Sequence, residues 1–195
     1  MKKVFNKLYK ENRSYLALNT KLIPKYLHNG QGKVLLDIGC GRGEAALQFA
    51  RWGYSVFAYD SSKEARKQAL WHKKITYCWG DFEKTPFPFA HVILCKLSLA
   101  FAKNKKKLLK RLIWSLLPGG HLIIISPVKA ETPREKKHIA INEKILYDTT
   151  ELKLISRKKD PISKINTYYF ILTRTCVAGR QADKLLRNLT ECLGE

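Results

Sequence analysis

Carboxylates are scarce in this chain: 16 Asp and Glu stand against 37 Lys and Arg over 195 residues, a formal charge of +21. Such an excess attracts anions, nucleic acid and anionic surfaces included, and it is equally what a solvated lysine-rich surface gives without any such partner. Long apolar runs are missing too. The longest, such as Leu122-Ile123-Ile124-Ile125, fall far short of the roughly 20 residues that a membrane-spanning helix needs. No apolar segment follows the lysines of Met1-Lys2-Lys3-Val4-Phe5-Asn6-Lys7, so no secretory signal is read and the cytoplasm is the expected compartment. The five cysteines, Cys40, Cys78, Cys95, Cys176 and Cys192, are odd in number and include no C-x-x-C pair. That argues against a disulfide framework and a zinc site, and no metal is expected. Internal repeats and low-complexity segments are absent, and the length suits one domain with a sheet covered on both faces.

What is present centres on Val34-Leu35-Leu36-Asp37-Ile38-Gly39-Cys40-Gly41-Arg42-Gly43, an apolar run ending in an acid and opening into glycines at alternate positions. A strand feeding a tight turn is expected, since glycine reaches positive φ at little cost and lets a ligand approach the backbone. Ala46, Leu47, Ala50 and Arg51 follow at helical spacing, Gly53 stops that helix, and Ser55-Val56-Phe57-Ala58-Tyr59-Asp60 reads as a second strand. An acid at this strand tip can hold the two hydroxyls of a ribose.

The spacing also separates nucleotide classes. A dinucleotide fingerprint needs a third glycine where Glu44 stands, and a carboxylate there repels pyrophosphate. A phosphate-binding P-loop needs Gly-Lys-Ser/Thr, which does not follow. An adenosine cofactor without phosphate fits better.

Asp37-Ile38-Gly39-Cys40-Gly41-Arg42-Gly43 resembles the first motif of the class I S-adenosylmethionine-dependent methyltransferases. Three further landmarks carry the resemblance from about residue 30 to 127: Asp60; Gly80-Asp81-Phe82 after a third strand Ile75 to Trp79; and Leu117-Pro118-Gly119-Gly120 before a fifth strand His121 to Ser126. It implies a three-layer Rossmann-like α/β sandwich with a seven-stranded, mostly parallel sheet of order 3-2-1-4-5-7-6. It also implies S-adenosylmethionine as cofactor, with Asp37 and the Gly39, Cys40, Gly41 and Gly43 turn at the methionine end, Asp60 beside Ser61 at the ribose, and Asp81 and Phe82 at the adenine. Cys95, at the end of a fourth strand His91 to Cys95, completes the expected cofactor-binding set. The order of parts looks most like the small-molecule or tellurite-resistance type, with methyl transfer to a small-molecule acceptor by in-line displacement. An RNA methyltransferase, suggested by charge, and a non-catalytic cofactor-binding protein are the alternatives.

The sequence departs from the family at two places. His91 stands where the fourth strand commonly begins with an aspartate, which concerns packing more than activity. Leu94 precedes Cys95 where cytosine enzymes carry a proline before a thiolate nucleophile, and no Asn/Asp-Pro-Pro-Tyr motif is present, so cytosine, amino-directed adenine and glutamine acceptors lose ground. No general base is identifiable; Tyr9, Tyr15, His91 and Lys96 are nominees, with burial as the alternative for the two tyrosines.

Around this frame three parts are expected: an N-terminal helical arm over 1–28, a core over 30–175 and a C-terminal helix over 176–195. Phe5, Leu8, Tyr9, Tyr15 and Leu16 lie near helical spacing, and a second helix capped by Asn19 or Thr20 runs through Leu27. Further helices are expected over Lys63 to Trp71 and Lys103 to Leu117. The latter is apolar on one face, with Lys103, Lys106, Lys107, Lys110 and Arg111 crowding the other. Strands Glu151 to Arg157 and Asn166 to Arg174 close the sheet as an antiparallel pair. Residues 127–146 occupy the region where substrate-specific insertions sit in the resembled family.

Overall fold

The structure, a computed structural model, describes residues 9–11, 17–163 and 165–175. Tyr15, Phe5 and the expected helix over 181–193 lie outside the described residues.

One seven-stranded sheet runs in the order β3-β2-β1-β4-β5-β7-β6. Its strands are β1 (Val34–Ile38), β2 (Ser55–Asp60), β3 (Ile75–Trp79), β4 (Ala90–Lys96), β5 (Leu116–Pro127), β6 (Leu152–Lys159) and β7 (Thr167–Arg174). β1 to β5 pair in parallel, while β7 runs antiparallel to both β5 and β6. This is the order the resemblance implies. Chain order reverses between β1 and β4, and such a switch point opens a crevice at the strands' carboxyl ends.

Alternation along the strands builds a core on each face. Leu36, Ile38, Ile93, Cys95, Leu122 and Ile124 point to one side, where they meet Leu108, Leu109, Leu112 and Ile113 of α3 (Lys105–Ser115). Leu35, Leu94, Ile123 and Ile125 point to the other, against Ala45, Ala46, Phe49 and Ala50 of α1 (Glu44–Arg51). Burial on both sides is why the central strands read as continuous apolar runs. Among the described residues no helix is long and apolar enough to cross a membrane.

Several boundaries differ from expectation. The helix ending at Leu27 is instead two 3-10 turns, Thr20–Leu22 and Lys25–His28. Pro24 separates them, because it offers no N–H and holds Ile23 extended at φ −86°, ψ 125°. α2 (Lys63–Lys67), capped by the Ser62 side chain, stops four residues early. There the Leu70 N–H leaves helical pairing to donate to Arg42 O at 2.9 Å. α3 starts at Lys105 because Asn104 caps it through Lys107 N–H, and the chain is extended again at Leu116, which pairs with Ala90. His91 sits at a register shift, and its Nδ1 accepts the Val34 N–H at 3.1 Å, tying β1 to β4 where the family usually carries an aspartate.

Residues 128–147 form short 3-10 turns and α4 (Lys144–Tyr147). Arg157 on β6 pins this segment, bridging Glu143 at 2.9 Å and Glu131 at 3.3 Å with its guanidinium 3.9 Å above the Tyr168 ring. Stacking of a planar cation on an aromatic face is a contact lysine does not reproduce well.

Candidate active site

The turn after β1 rests on the end of β2. Gly39 and Cys40 both donate their N–H to Tyr59 O, at 2.7 and 3.0 Å, and Gly41 donates to Asp60 Oδ2 at 2.8 Å. Gly39 and Gly41 adopt φ of +76° and +58°. A Cβ on Gly39 would lie 2.6 Å from Ser98 Cβ, and one on Gly41 would lie 2.3 Å from the Tyr9 hydroxyl oxygen. Both positions therefore need glycine twice over, for the left-handed backbone and for the close approach.

A cavity of about 680 Å³, open mouth included, lies at this edge. That is within the range of roughly 300–1,000 Å³ typical of small-molecule sites. Its walls carry Gly39, Cys40 and Glu44 from the β1–α1 turn, Asp60 and Ser61 from β2, Phe82 after β3, Lys96, Leu97, Ser98 and Phe101 after β4, and Tyr9. The cavity thus straddles the switch point between β1 and β4.

Its polar groups are differently supported. Asp60 accepts Gly41 N–H on Oδ2 and Ser62 N–H at 2.8 Å on Oδ1, so each oxygen keeps a lone pair for a further donor. Burial raises its carboxyl above the ordinary range, and N–H groups of Ser62, Gly41 and Ser61 pull it back. Glu44 is held by the Arg42 guanidinium, whose Nη2 and Nε reach Oε1 at 2.7 and 3.0 Å. Burial lowers the Lys96 ammonium, against which the charges of Asp37 and Glu44 act. The Cys40 thiol is raised well above its usual range, mainly by burial, and stays protonated.

Beneath the turn lies Asp37, 1% exposed, whose two carboxylate oxygens have no hydrogen-bond partner. Burial lifts its carboxyl to about 7; Lys96 lowers it, Asp60 raises it, and the Ala46 N–H eases it without completing a bond. A buried carboxylate without donors is costly, and it is the kind of group that an incoming cation would satisfy. Ser98, 7% exposed, likewise carries a hydroxyl without a hydrogen-bond partner. It influences the buried Cys95 thiol, but a thiol sulfur is a weak acceptor.

Of the residues expected from sequence, Gly39, Cys40, Asp60, Ser61 and Phe82 line the cavity. Gly41 and Gly43 shape the turn behind it, Gly43 giving way to the Tyr77 hydroxyl. Asp81 is engaged in its own loop, where Oδ1 accepts Glu83 N–H at 3.0 Å and its carbonyl accepts Lys84 and Thr85 N–H. Cys95 is fully buried, its thiol pushed up to about 12 by burial, and it does not reach the cavity wall. Among the nominated bases, Tyr9 and Lys96 line the cavity, whereas His91 is at the opposite strand ends.

Glu44, Leu97 and Phe101 had no signal as site residues. Leu97 has φ +62°, the one positive φ among the described non-glycine residues, a conformation costing roughly 1–2 kcal/mol. Its N–H donates to Ile125 O at 2.8 Å, which turns the chain into the 3-10 helix Leu99–Phe101. Arg111, expected on the solvated stripe of α3, instead donates to the carbonyls of Phe82 (3.1 Å), Glu83 (2.5 Å) and Thr85, with Phe87 4.8 Å from its guanidinium. Glu83 answers by accepting the N–H groups of Lys103 and Asn104, both at 3.1 Å.

The comparisons agree with this geometry. Residues 36–124 match the family model described as a methyltransferase domain. The chain is 31% identical over 102 residues to the mitochondrial ubiquinone biosynthesis O-methyltransferase of Schizosaccharomyces pombe, covering 48% of this chain and 37% of that protein. It is 30% identical over 131 residues to the malonyl-(acyl-carrier protein) O-methyltransferase of Erwinia billingiae, covering 65% of this chain and 51% of that protein. It thus spans about half, or less, of the length of these curated relatives. The fold is similar to the crystal structure of the N-methyltransferase NodS from Bradyrhizobium japonicum in complex with S-adenosyl-L-homocysteine, with TM-score 0.64 at 20% identity over 74% of this chain and 79% of that one. With its methyltransferase domain over residues 36–124 and its 3-2-1-4-5-7-6 sheet, the chain belongs to the class I S-adenosylmethionine-dependent methyltransferase family.

Proposed function

We propose that this chain binds S-adenosylmethionine in the switch-point cavity and transfers its methyl group to a small-molecule acceptor. The observation that carries the reading is Asp60, held by the Gly41 N–H beside the positive-φ turn and still able to accept two hydroxyl donors. The residues present fit the cofactor: the orphaned Asp37 carboxylate suits its ammonium, Asp60 its ribose, and the Phe82 wall its adenine. No cluster of basic groups lines the cavity to receive a pyrophosphate.

When bound, S-adenosylmethionine supplies a methyl group already activated on a sulfonium. The chain's share is then to align an acceptor and exclude water. Tyr9, Leu97 and Phe101 give the cavity apolar walls, and Arg111 holds the loop that carries Phe82. The small-molecule acceptor is supported by the two relatives, both named as O-methyltransferases.

Calorimetry with S-adenosylhomocysteine and NAD tests the reading. Binding of the first and none of the second is expected; the reverse would sink it.

A further inference from the structure

Of the eleven described residues lining the cavity, Lys96 is the one with a basic side chain. The neighbouring acids already have partners that do not depend on it. Glu44 is forked by Arg42, and Asp60 accepts backbone N–H groups on both oxygens. Asp37 remains as the acid facing Lys96, and on the reading above its carboxylate is taken up by the cofactor's own ammonium.

The charges then do not balance. With cofactor in place, the cavity holds a sulfonium, an ammonium and Lys96 against the Asp37 and methionine carboxylates, an excess of one positive charge in a partly dehydrated space. Such a space favours an anion and disfavours a neutral or cationic acceptor. Two residues beyond Lys96, the Ser98 hydroxyl is more than nine-tenths buried, lines the same wall and has no hydrogen-bond partner. A hydroxyl so placed calls for an acceptor atom.

The surface beside this wall has the same sign. The 3-10 helix Arg134–Ile139 packs against the helix Leu99–Phe101, whose Phe101 lines the cavity, and it presents Arg134, Lys136 and Lys137 to solvent with Glu135 as the lone acid among them. A positive rim raises the local concentration of anionic ligands. The remaining wall residues on this side, Leu97, Phe101 and Tyr9, are apolar or aromatic.

We infer that the acceptor is a carboxylate or an ionised phenol on a small apolar or aromatic body, and that Lys96 and Ser98 hold its charged end at the β4 edge of the cavity. The inference rests on the methyltransferase reading and narrows its substrate class. Transfer to such an anion needs no general base. An oxygen lone pair forms the bond to the methyl carbon as that carbon's bond to sulfur breaks, so the anion and the sulfonium are both neutralised and no proton moves. This accords with a lining that offers no histidine.

The test compares matched pairs, benzoate with benzamide and phenylacetate with phenylacetamide, by saturation-transfer NMR on the full chain saturated with S-adenosylhomocysteine. The acids should bind about tenfold or more tightly than the amides, Lys96→Met should abolish that preference, and Lys96→Arg should keep part of it. Calorimetry should show that Lys96→Met changes S-adenosylhomocysteine affinity by less than about threefold, a difference under 1 kcal/mol. If wild type binds the amides as well as the acids, or binds neither, the acceptor class is wrong. If Lys96→Met loses S-adenosylhomocysteine instead, Lys96 serves the cofactor and the inference fails. A wild-type chain that binds no S-adenosylhomocysteine defeats the methyltransferase reading itself, which separates the two failures.

Discussion

Gly41 donates its N–H to Asp60 Oδ2 at 2.8 Å, so the turn after β1 and the acid ending β2 form one unit. The acid that would read a ribose also fixes the backbone that would meet the methionine end.

Asp60→Ala should therefore do more than remove a ligand group. Loss of a charged acceptor costs about 1–3 kcal/mol, roughly ten- to hundredfold in S-adenosylhomocysteine affinity. The freed Gly41 N–H should also speed amide exchange in the turn. Calorimetry and hydrogen exchange measure the two effects separately, and unchanged affinity would remove Asp60 from the site.

Asp37 should make the cofactor-free protein pH-sensitive. Its folded carboxyl, near 7, lies above its unfolded value. Between about pH 4 and 7 the folded state thus holds more of the proton, and stability falls as pH rises. Asp37→Asn should stabilise the cofactor-free chain relative to wild type by a margin that grows from pH 5 to pH 8, reaching a few kcal/mol at most. The same variant should bind S-adenosylhomocysteine more weakly. Parallel thermal melts across that pH range are the check, and a margin that shrinks with pH contradicts the account.

Arg111→Ala should loosen residues 82–87, leaving three carbonyls without their charged donor. A loss of roughly 1–3 kcal/mol in stability and a weaker grip on the adenine side are expected. Arg111→Lys should not restore either, since an ammonium cannot span three carbonyls. Denaturant melts and S-adenosylhomocysteine titration test it, with Lys107→Ala, an exposed neighbour, as the control.

Gly41→Ala places a methyl group against the Tyr9 hydroxyl, whereas Gly39→Ala drives one into Ser98 Cβ. The first obstacle is one atom at a side chain's far end. Adding Tyr9→Phe to Gly41→Ala should recover part of the lost stability, leaving about 1–2 kcal/mol of backbone strain. Gly39→Ala should show no such rescue. Additive effects in the Gly41 and Tyr9 cycle would mean that the two residues do not meet.

Lys106, Lys107 and Lys110 form the exposed part of the α3 stripe. Reversing all three to Glu should leave small-molecule methyl transfer within about twofold and lower only salt-sensitive binding to polyanions, whose slope follows the number of phosphates neutralised. Loss of small-molecule turnover would connect that stripe to the reaction.

The sheet order and the turn were legible because each rests on local chemistry. Alternate glycines dictate the turn after Ile38, and apolar runs bounded by Gly, Pro and acids dictate the strands. Wall residues after β4 were harder to read. Leu97 takes a positive φ that no leucine advertises, and the Ser98 and Phe101 positions follow from that bend. Arg111 resembled its solvated neighbours because a helical stripe does not reveal which cation has carbonyls above it. Asp81 and Cys95 show the opposite case: motif position drew attention to them, but three-dimensional context turned one into its own loop and buried the other.

The most direct test of the central claim is calorimetric titration of wild type and Asp60→Ala with S-adenosylhomocysteine, with NAD titrated into wild type alongside. The account predicts one saturable site per chain for S-adenosylhomocysteine, about ten- to hundredfold weaker in the variant, and no NAD binding. Saturable NAD binding without S-adenosylhomocysteine binding would contradict it.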